Sequence, residues 1–340
     1  MPKVSVIMPV YNVASFVGQA VRSVLDQSFT DFELLIVDDC SPDNSIAICE
    51  AFGDNRIRII KHRVNRGLAG ARNTGIRHAE GDYLAFLDSD DFWDTDKLTL
   101  HVQHLDESPY LGISFSRSAF VDEQGVPTRF YQMPKLTDIT PEHLFCRNPI
   151  GNGSAPVIRR AVFEQIGYQS CFQGEPEIRY FDSELRRSED IECWLRIALQ
   201  TGWTIAGIPQ PLTYYRLNAG GLSAVLDKQL ESWEQVASVT AGYAPTFVAK
   251  NYDHAKAYQL RYLSRQAIRL GDGYASVALF RQSLNASKRP LSEEFGRTLT
   301  TGIAAHILRM IPNFYRIIER SASLSIGWIQ RRKIAQDIAS

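Results

Sequence analysis

The sequence predicts an α/β fold: a sheet of parallel strands covered by helices on both faces, followed by an α-helical C-terminal extension. Three observations predict it. Over the first 122 residues, short β-branched apolar runs alternate with runs of helical spacing. Polar clusters stand where the apolar runs stop, and after residue 225 strand-like runs disappear.

Taken in order, Val4–Val10 is a continuous apolar run of the kind buried on both faces of a sheet. Beyond Tyr11-Asn12, Phe16, Ala20, Val21, Val24 and Leu25 fall at helical spacing. Phe32–Val37 is the second strand and ends in Asp38-Asp39, after which Ser41-Pro42 reads as a helix cap with proline at the first helical position. Ile57–Lys61 is a third strand, Leu68–Ala79 a helix, Tyr83–Leu87 a fourth strand, Thr95–Glu107 a helix and Gly112–Val121 a further strand. Strands alternating with helices imply parallel pairing, and such sheets bind ligands beyond the carboxyl ends of their strands. The polar clusters Tyr11-Asn12, Asp38-Asp39 and Asp88–Asp91 occupy those ends.

The domain division expected is 1–224, made of 1–122 and a turn-rich 123–224, then a helical region 225–340. Within the latter, 255–290 places two apolar-striped helices around Gly271-Asp272-Gly273 and closes on Pro290, a hairpin similar to one tetratricopeptide unit. Between Arg297 and Ser340, seven Lys/Arg stand against two Asp/Glu and interleave with Ile303, Ile307, Leu308, Ile311, Phe314, Ile317, Ile318 and Trp328. That pattern suits a helix lying on an anionic membrane surface, or an amphipathic helix packed on its own domain with a solvated basic face.

The 340 residues are 44% hydrophobic and 22% charged with a formal charge of −1, which gives no basic footprint for nucleic acid. Five cysteines without CxxC spacing fit buried thiols in a reducing compartment rather than a disulfide framework or a zinc site. The N-terminus reads as a strand rather than a secretory signal, and no apolar run reaches the length of a membrane span, so the expected location is cytoplasmic, with peripheral membrane attachment open. Nothing in the pattern specifies an oligomeric state.

Two clusters carry chemistry. In Tyr83–Trp93 an apolar strand runs directly into Asp88, Ser89, Asp90 and Asp91. Carboxylates so close repel one another unless a cation joins them, and Mg2+ or Mn2+ takes one or two carboxylates together with phosphate oxygens. The second cluster is Ser188-Glu189-Asp190 ahead of Ile191, Trp194, Leu195, Ala198 and Leu199, an amphipathic helix with acids in its first turn.

Four segments then carry a resemblance: Val4–Asn12 (VSVIMPVYN), Val37–Ser41 (VDDCS), Asn65–Gly75 (NRGLAGARNTG) and Leu87–Asp91 (LDSDD). In this order they resemble family 2 glycosyltransferases of the GT-A fold, a Rossmann-like mixed sheet flanked by helices, over roughly residues 3–224. The resemblance implies that Pro9, Tyr11 and Asn12 line a nucleotide pocket and that Asp39 accepts a hydrogen bond from the base. Arg72 would reach the nucleotide or brace the acids, with Gly67 and Gly70 letting backbone approach the ligand. Asp88 and Ser89 would contact the nucleotide-sugar, and the metal would fall to Asp88, Asp90 and Asp91 without a choice among them. Asp190, with Glu189 beside it, matches the catalytic base. Tyr214-Tyr215-Arg216 with Gly220–Ser223 looks like a closing loop whose Arg216 touches the diphosphate. Donor and acceptor would be a UDP-sugar and a saccharide or lipid-linked glycan. The rivals are a sugar-phosphate nucleotidyltransferase, which needs a Gly-rich phosphate loop where Pro9–Ala14 stands, and a non-catalytic nucleotide-sugar-binding protein.

Overall fold

The computed structural model describes residues 1–217 and 226–339, apart from the side chains at 314 and 316–324. In chain order the elements are β1 (Val4–Val10), α1 (Val17–Leu25), β2 (Phe32–Asp38), α2 (Ser45–Glu50), β3 (Ile57–Lys61), α3 (Gly67–His78), β4 (Tyr83–Phe86) and β5 (Phe92–Trp93). There follow α4 (Lys97–Glu107), β6 (Leu111–Val121), β7 (Pro127–Tyr131), α5 (Pro141–Cys146), β8 (Val157–Arg159), α6 (Arg160–Ile166), β9 (Tyr168–Phe172), β10 (Glu175–Arg179), α7 (Glu189–Gln200) and β11 (Thr204–Arg216). The remainder is helical: α8 (Leu226–Tyr243), α9 (Pro245–Arg269), α10 (Gly273–Ala286), α11 (Arg289–Glu293), α12 (Phe295–Met310) and α13 (Pro312–Ala339). Two compact units result, one of residues 1–139, 149–218 and 333–340, the other of 140–148 and 219–332.

The first unit is built on a sheet of order β3-β2-β1-β4-β8-β6-β11-β5, with β7 on β6. Every residue of β1 is buried, and its two faces serve different helices. Val4, Val6, Met8 and Val10 join Val17, Ala20, Val21 and Val24 of α1 in one apolar cluster. Ile7 points the other way, onto α3, where a Cβ at Gly75 would stand 2.3 Å from its side chain. Each such fully buried side chain contributes roughly 1.5–3 kcal/mol. The half β3-β2-β1-β4 is parallel throughout, as its alternation with helices demands.

Beyond β4 the sheet departs from the parallel expectation and takes the mixed form. The three-residue β8 runs antiparallel between β4 and β6, and β5 returns antiparallel on β11. β11 carries Pro209 and Pro211 inside its length, and its register on β6 shifts around them because proline has no N–H to give the ladder. A second correction concerns Ser41. The helix starts at Ser45, because Ser41 Oγ is drawn to Asp43 (2.8 Å) and Asn12 N–H (2.9 Å) instead of capping. Cys49 and Cys193 are buried as expected, while Cys171 is exposed on β9.

In the second unit, α9 and α10 form a hairpin. Gly271 adopts φ +77°, and the Asp272 side chain caps α10 by accepting from Ala275 N–H at 2.8 Å. Ser264 and Ser283 tie the pair together through backbone carbonyls of Ser276 and Ala257. The buried Arg261 is held by Thr298 and Glu294. No helix among the described residues is long and apolar enough to cross a membrane.

Candidate active site

The carboxyl ends of β1, β2 and β4 lie side by side, since β1 pairs with both neighbours in parallel. Pro9 is buried within β1, and Tyr11 and Asn12 are exposed just past its end. Asp43 binds this loop to the one after β2: its carboxylate accepts from Ala14 N–H (2.8 Å), Ser41 Oγ (2.8 Å) and both Ser45 N–H (3.1 Å) and Oγ (2.5 Å). Against the desolvation that burial imposes, these donors hold the Asp43 carboxyl well below the usual range.

Asp38 accepts from Ser41 N–H (2.8 Å) and orders the loop. Asp39 is buried, with His62 Nδ1 at 2.7 Å, Arg66 N–H at 2.7 Å and Gly67 N–H at 2.9 Å. Its carboxylate therefore fixes the entrance of α3, where backbone donors and the helix dipole favour negative charge. Gly67 sits there at φ +70°, a left-handed conformation suited to glycine, rather than at a point of crowding.

Arg72, on the first turns of α3, is the central residue. It is 2% exposed, and its guanidinium lies 2.6 Å from Asp88 Oδ1 and 2.6 Å from Glu189 Oε1. Burial opposes its charge, but Asp88, Glu189 and Asp190 more than compensate and keep it charged. One buried cation thus joins the acids after β4 to those opening α7. Those opening acids follow Ser188, which stands at the cap position with φ +59° and makes no side-chain cap. The helix behind them is buried nearly all round, including the ion pair Glu192–Arg196 (2.9 Å), where the spacing suggests a single apolar face.

The two acids of that pair differ. Glu189 is buried against Arg72, and burial pushes its carboxyl up to about 7, with Asp190 adding to the shift. Asp190 is half-buried, and burial likewise raises it, opposed by Arg72 and reinforced by Asp88. The result is a partly exposed carboxylate of raised basicity beside a second one held inward.

In the Asp88–Asp91 turn the three acids also separate. Asp88 and Asp90 are half-buried. Asp91 faces inward at 2% exposure, its oxygens accepting from Ser154 Oγ (2.7 Å) and Arg216 N–H (2.9 Å). Burial, then Asp90 and Asp88, raise its carboxyl well above the usual range. Among the described residues no three His, Cys, Asp or Glu side chains are grouped to hold an ion by themselves. With Asp91 turned inward, Asp88 and Asp90 offer two hard oxygen donors, the number Mg2+ or Mn2+ uses when diphosphate oxygens complete its shell. The residues therefore fit a cation bound together with a diphosphate.

Arg216 is placed differently from the expectation. It is buried and directs its guanidinium to the carbonyls of Asp90 (2.7 Å), Asp122 (3.3 Å) and Glu123 (2.8 Å) and to Gln19 Oε1 (2.7 Å), over the rings of Phe16 and Phe92. A guanidinium with these partners braces the acid turn. Gly220–Ser223, the rest of the expected closing loop, lies outside the described residues. Ser89 is buried beside the acids it separates.

Sequence reading missed the loop Asn152-Gly153-Ser154. Ser154 Oγ accepts from Asp88 N–H (3.0 Å) and donates to Asp91, its carbonyl receives Trp93 Nε1–H (3.0 Å), and its own N–H goes to Asn152 Oδ1 (3.1 Å). At Gly153 a Cβ would stand 2.1 Å from Arg72 Nη2 and 3.1 Å from Asp88 Oδ2. Two ion pairs prevent that guanidinium from moving aside. Gly153→Ala is expected to destabilise the chain by about 1–3 kcal/mol through overpacking, read from urea unfolding, and to weaken nucleotide binding. An unchanged midpoint with unchanged binding would show that Arg72 is less confined than these contacts imply.

The sequence model of "Glycosyl transferase family 2" matches residues 5–167. The chain is 33% identical over 226 residues to the "Putative teichuronic acid biosynthesis glycosyltransferase TuaG" of Bacillus subtilis, covering 66% of this chain and 82% of that protein. It is 31% identical over 230 residues to the "UDP-Glc:alpha-D-GlcNAc-diphosphoundecaprenol beta-1,3-glucosyltransferase WfaP" of Escherichia coli, covering 68% and 83%. Among solved structures, the mannosyltransferase PcManGT of Pyrobaculum calidifontis, in complex with GDP-Man and Mn2+, matches with a TM-score of 0.58 at 19% identity, over 97% of this chain and 86% of that one. This last likeness shows a shared fold.

Proposed function

This chain belongs to glycosyl transferase family 2, and from that footing we propose that it is an inverting, metal-dependent enzyme that moves one sugar from a UDP-sugar to a hydroxyl of a saccharide or lipid-linked acceptor in cell-surface polysaccharide synthesis. The observation that carries the reading is the Arg72 bridge, which brings the acids at 88–90 and those at 189–190 into one site. UDP is favoured because WfaP, by its name, uses UDP-Glc, and a diphosphoundecaprenol-linked acceptor is favoured on the same ground.

In this mechanism Tyr11, Asn12 and the loop ordered by Asp38, Asp39 and Asp43 form the wall against which the nucleotide lies. Asp88 and Asp90 would hold Mg2+ or Mn2+, which supplies positive charge to the departing diphosphate. Asp190 takes the proton of the acceptor hydroxyl as that oxygen bonds to the anomeric carbon. The carbon's bond to the phosphate oxygen breaks on the opposite side, and UDP leaves with the electron pair. Raised basicity at Asp190 suits a proton acceptor, and the neighbouring Glu189, tied to Arg72, fixes the start of the helix that carries it. Asp91, Ser154 and Arg216 hold the turn without touching the reacting atoms.

The donor class is tested by thermal unfolding with UDP-, GDP- and dTDP-sugars, each with and without Mn2+. A rise in midpoint with a UDP-sugar that requires the metal is expected, because a ligand that binds only the folded state stabilises it. Stabilisation by a GDP- or dTDP-sugar alone would overturn the UDP assignment, and stabilisation independent of metal would overturn the role given to Asp88 and Asp90.

A further inference from the structure

The helix α12 is assembled with its small and polar side inward. It buries Thr298, Thr301, Gly302, Ala305 and Leu308, and Gly302 lets it press against the ring of Phe280, where a Cβ would stand 2.7 Å away. Its large apolar residues face out: Phe295 is 60% exposed, Leu299 44%, Ile303 51% and Met310 77%, with Ile311 just beyond at 54%. Phe295, Leu299 and Ile303 recur on successive turns, and beyond the half-buried Ile307 the same face continues to Met310, a stripe rather than scattered exposures. Leaving such a stripe in water is unfavourable, and contiguous exposed apolar surface of this kind marks a docking site.

The charges around the stripe indicate what it docks against. The charged residues of α12 itself are Arg297 and Arg309, with Arg309 lying over the exposed ring of Tyr274 at 4.9 Å. Of the acids nearest its ends, Glu294 is shared among Arg147, Arg261 and, at 3.8 Å, Arg297, and Asp272 caps α10. The later part of α13 repeats the chemistry, with Ile326, Trp328 and Ile329 exposed next to exposed Arg331, Arg332 and Lys333. Over 297–340 the balance is seven basic to two acidic residues. A protein partner would need no such excess of one sign, whereas an anionic bilayer attracts it and accepts bulky apolar side chains at the level of its headgroups.

We propose that the outward stripe of α12, flanked by Arg297 and Arg309, seats this chain on an anionic lipid surface. The helix lies on the bilayer and does not cross it, in keeping with the lack of a spanning helix among the described residues. This inference rests on surface chemistry alone and stands apart from the transfer reaction.

The test is flotation of the full chain with vesicles of phosphatidylcholine, and of phosphatidylcholine mixed equally with phosphatidylglycerol. Binding to the second and not the first, weakening as salt is raised, is expected. Leu299→Glu with Ile303→Glu is expected to lower partitioning by about tenfold or more, and Arg297→Glu with Arg309→Glu by a similar factor. All four residues are solvent-facing, so thermal midpoint and nucleotide binding should hold in both variants. Equal binding to the two vesicle types would overturn the proposal. So would binding that neither double variant weakens, or a stable dimer that the first double variant dissolves while vesicles bind nothing.

Discussion

Asp190→Asn is expected to lower the rate of sugar transfer by about a hundredfold to ten-thousandfold while leaving the fold and donor binding in place. The two acids opening α7 are adjacent in sequence but not in surroundings. Glu189 is turned inward to Arg72, so its replacement disturbs a buried ion pair. Asp190 is half-buried and of raised basicity, and an amide there keeps the shape while abolishing proton acceptance. The expected signature is a loss in kcat with little change in KM for the UDP-sugar, because the base acts on the acceptor and only in the transition state. Glu189→Gln should differ by costing stability as well as rate. Wild-type rates in Asp190→Asn would remove this residue from the mechanism.

Arg72→Leu is the second large effect. The guanidinium at 2% exposure offsets Asp88 and Glu189 at once, so its removal leaves the buried Glu189 and the half-buried Asp88 without their shared counter-charge. Breaking a buried pair in this way costs about 3–5 kcal/mol. The sign of the pH dependence follows from Glu189. Its carboxyl lies at about 7 in the fold against an ordinary 4.5, so the folded chain holds a proton there that the unfolded chain has released. Stability from this group is therefore present below 4.5 and is lost as pH rises through the window up to about 7. Without Arg72, which lowers that carboxyl in the native protein, the dependence steepens. Urea unfolding at about pH 5 and about pH 8 should then show the variant's deficit larger at the higher pH. A deficit independent of pH would mean that lost packing, not uncompensated charge, is the cause.

These two residues mark the boundary of what the sequence discloses. The parallel half of the sheet was legible because each of its strands is a short apolar run closed by polar residues, and β1 and β3 begin and end where the pattern places them. The acids after β4 were legible for the same reason, since a buried strand running into Asp88–Asp91 leaves few alternatives. The antiparallel β8 was not legible: three residues, Val157–Arg159, are too few to show a period. Nor does local spacing give direction. Arg216 and Asp91 sit among residues of the right type, yet both are drawn inward by partners far along the chain, Arg216 by Gln19 and Asp91 by Ser154. Gly153 and Ser154 carry no charge and read as an ordinary turn. Their importance arises from the approach of Arg72 and Asp88, which only the folded chain brings close. The inside-out packing of α12 escaped notice similarly, because its apolar residues look like a core stripe until Thr298, Thr301 and Gly302 are seen to fill that place.

The central claim is that the donor diphosphate binds with a cation at Asp88 and Asp90, separately from proton removal at Asp190. Calorimetric titration of UDP into the wild type, Asp90→Asn and Asp190→Asn, each with and without Mn2+, tests it most directly. The expected result is metal-dependent binding in the wild type and in Asp190→Asn, lost in Asp90→Asn with the fold intact. UDP binding of equal strength without metal, or in Asp90→Asn with metal present, would contradict it.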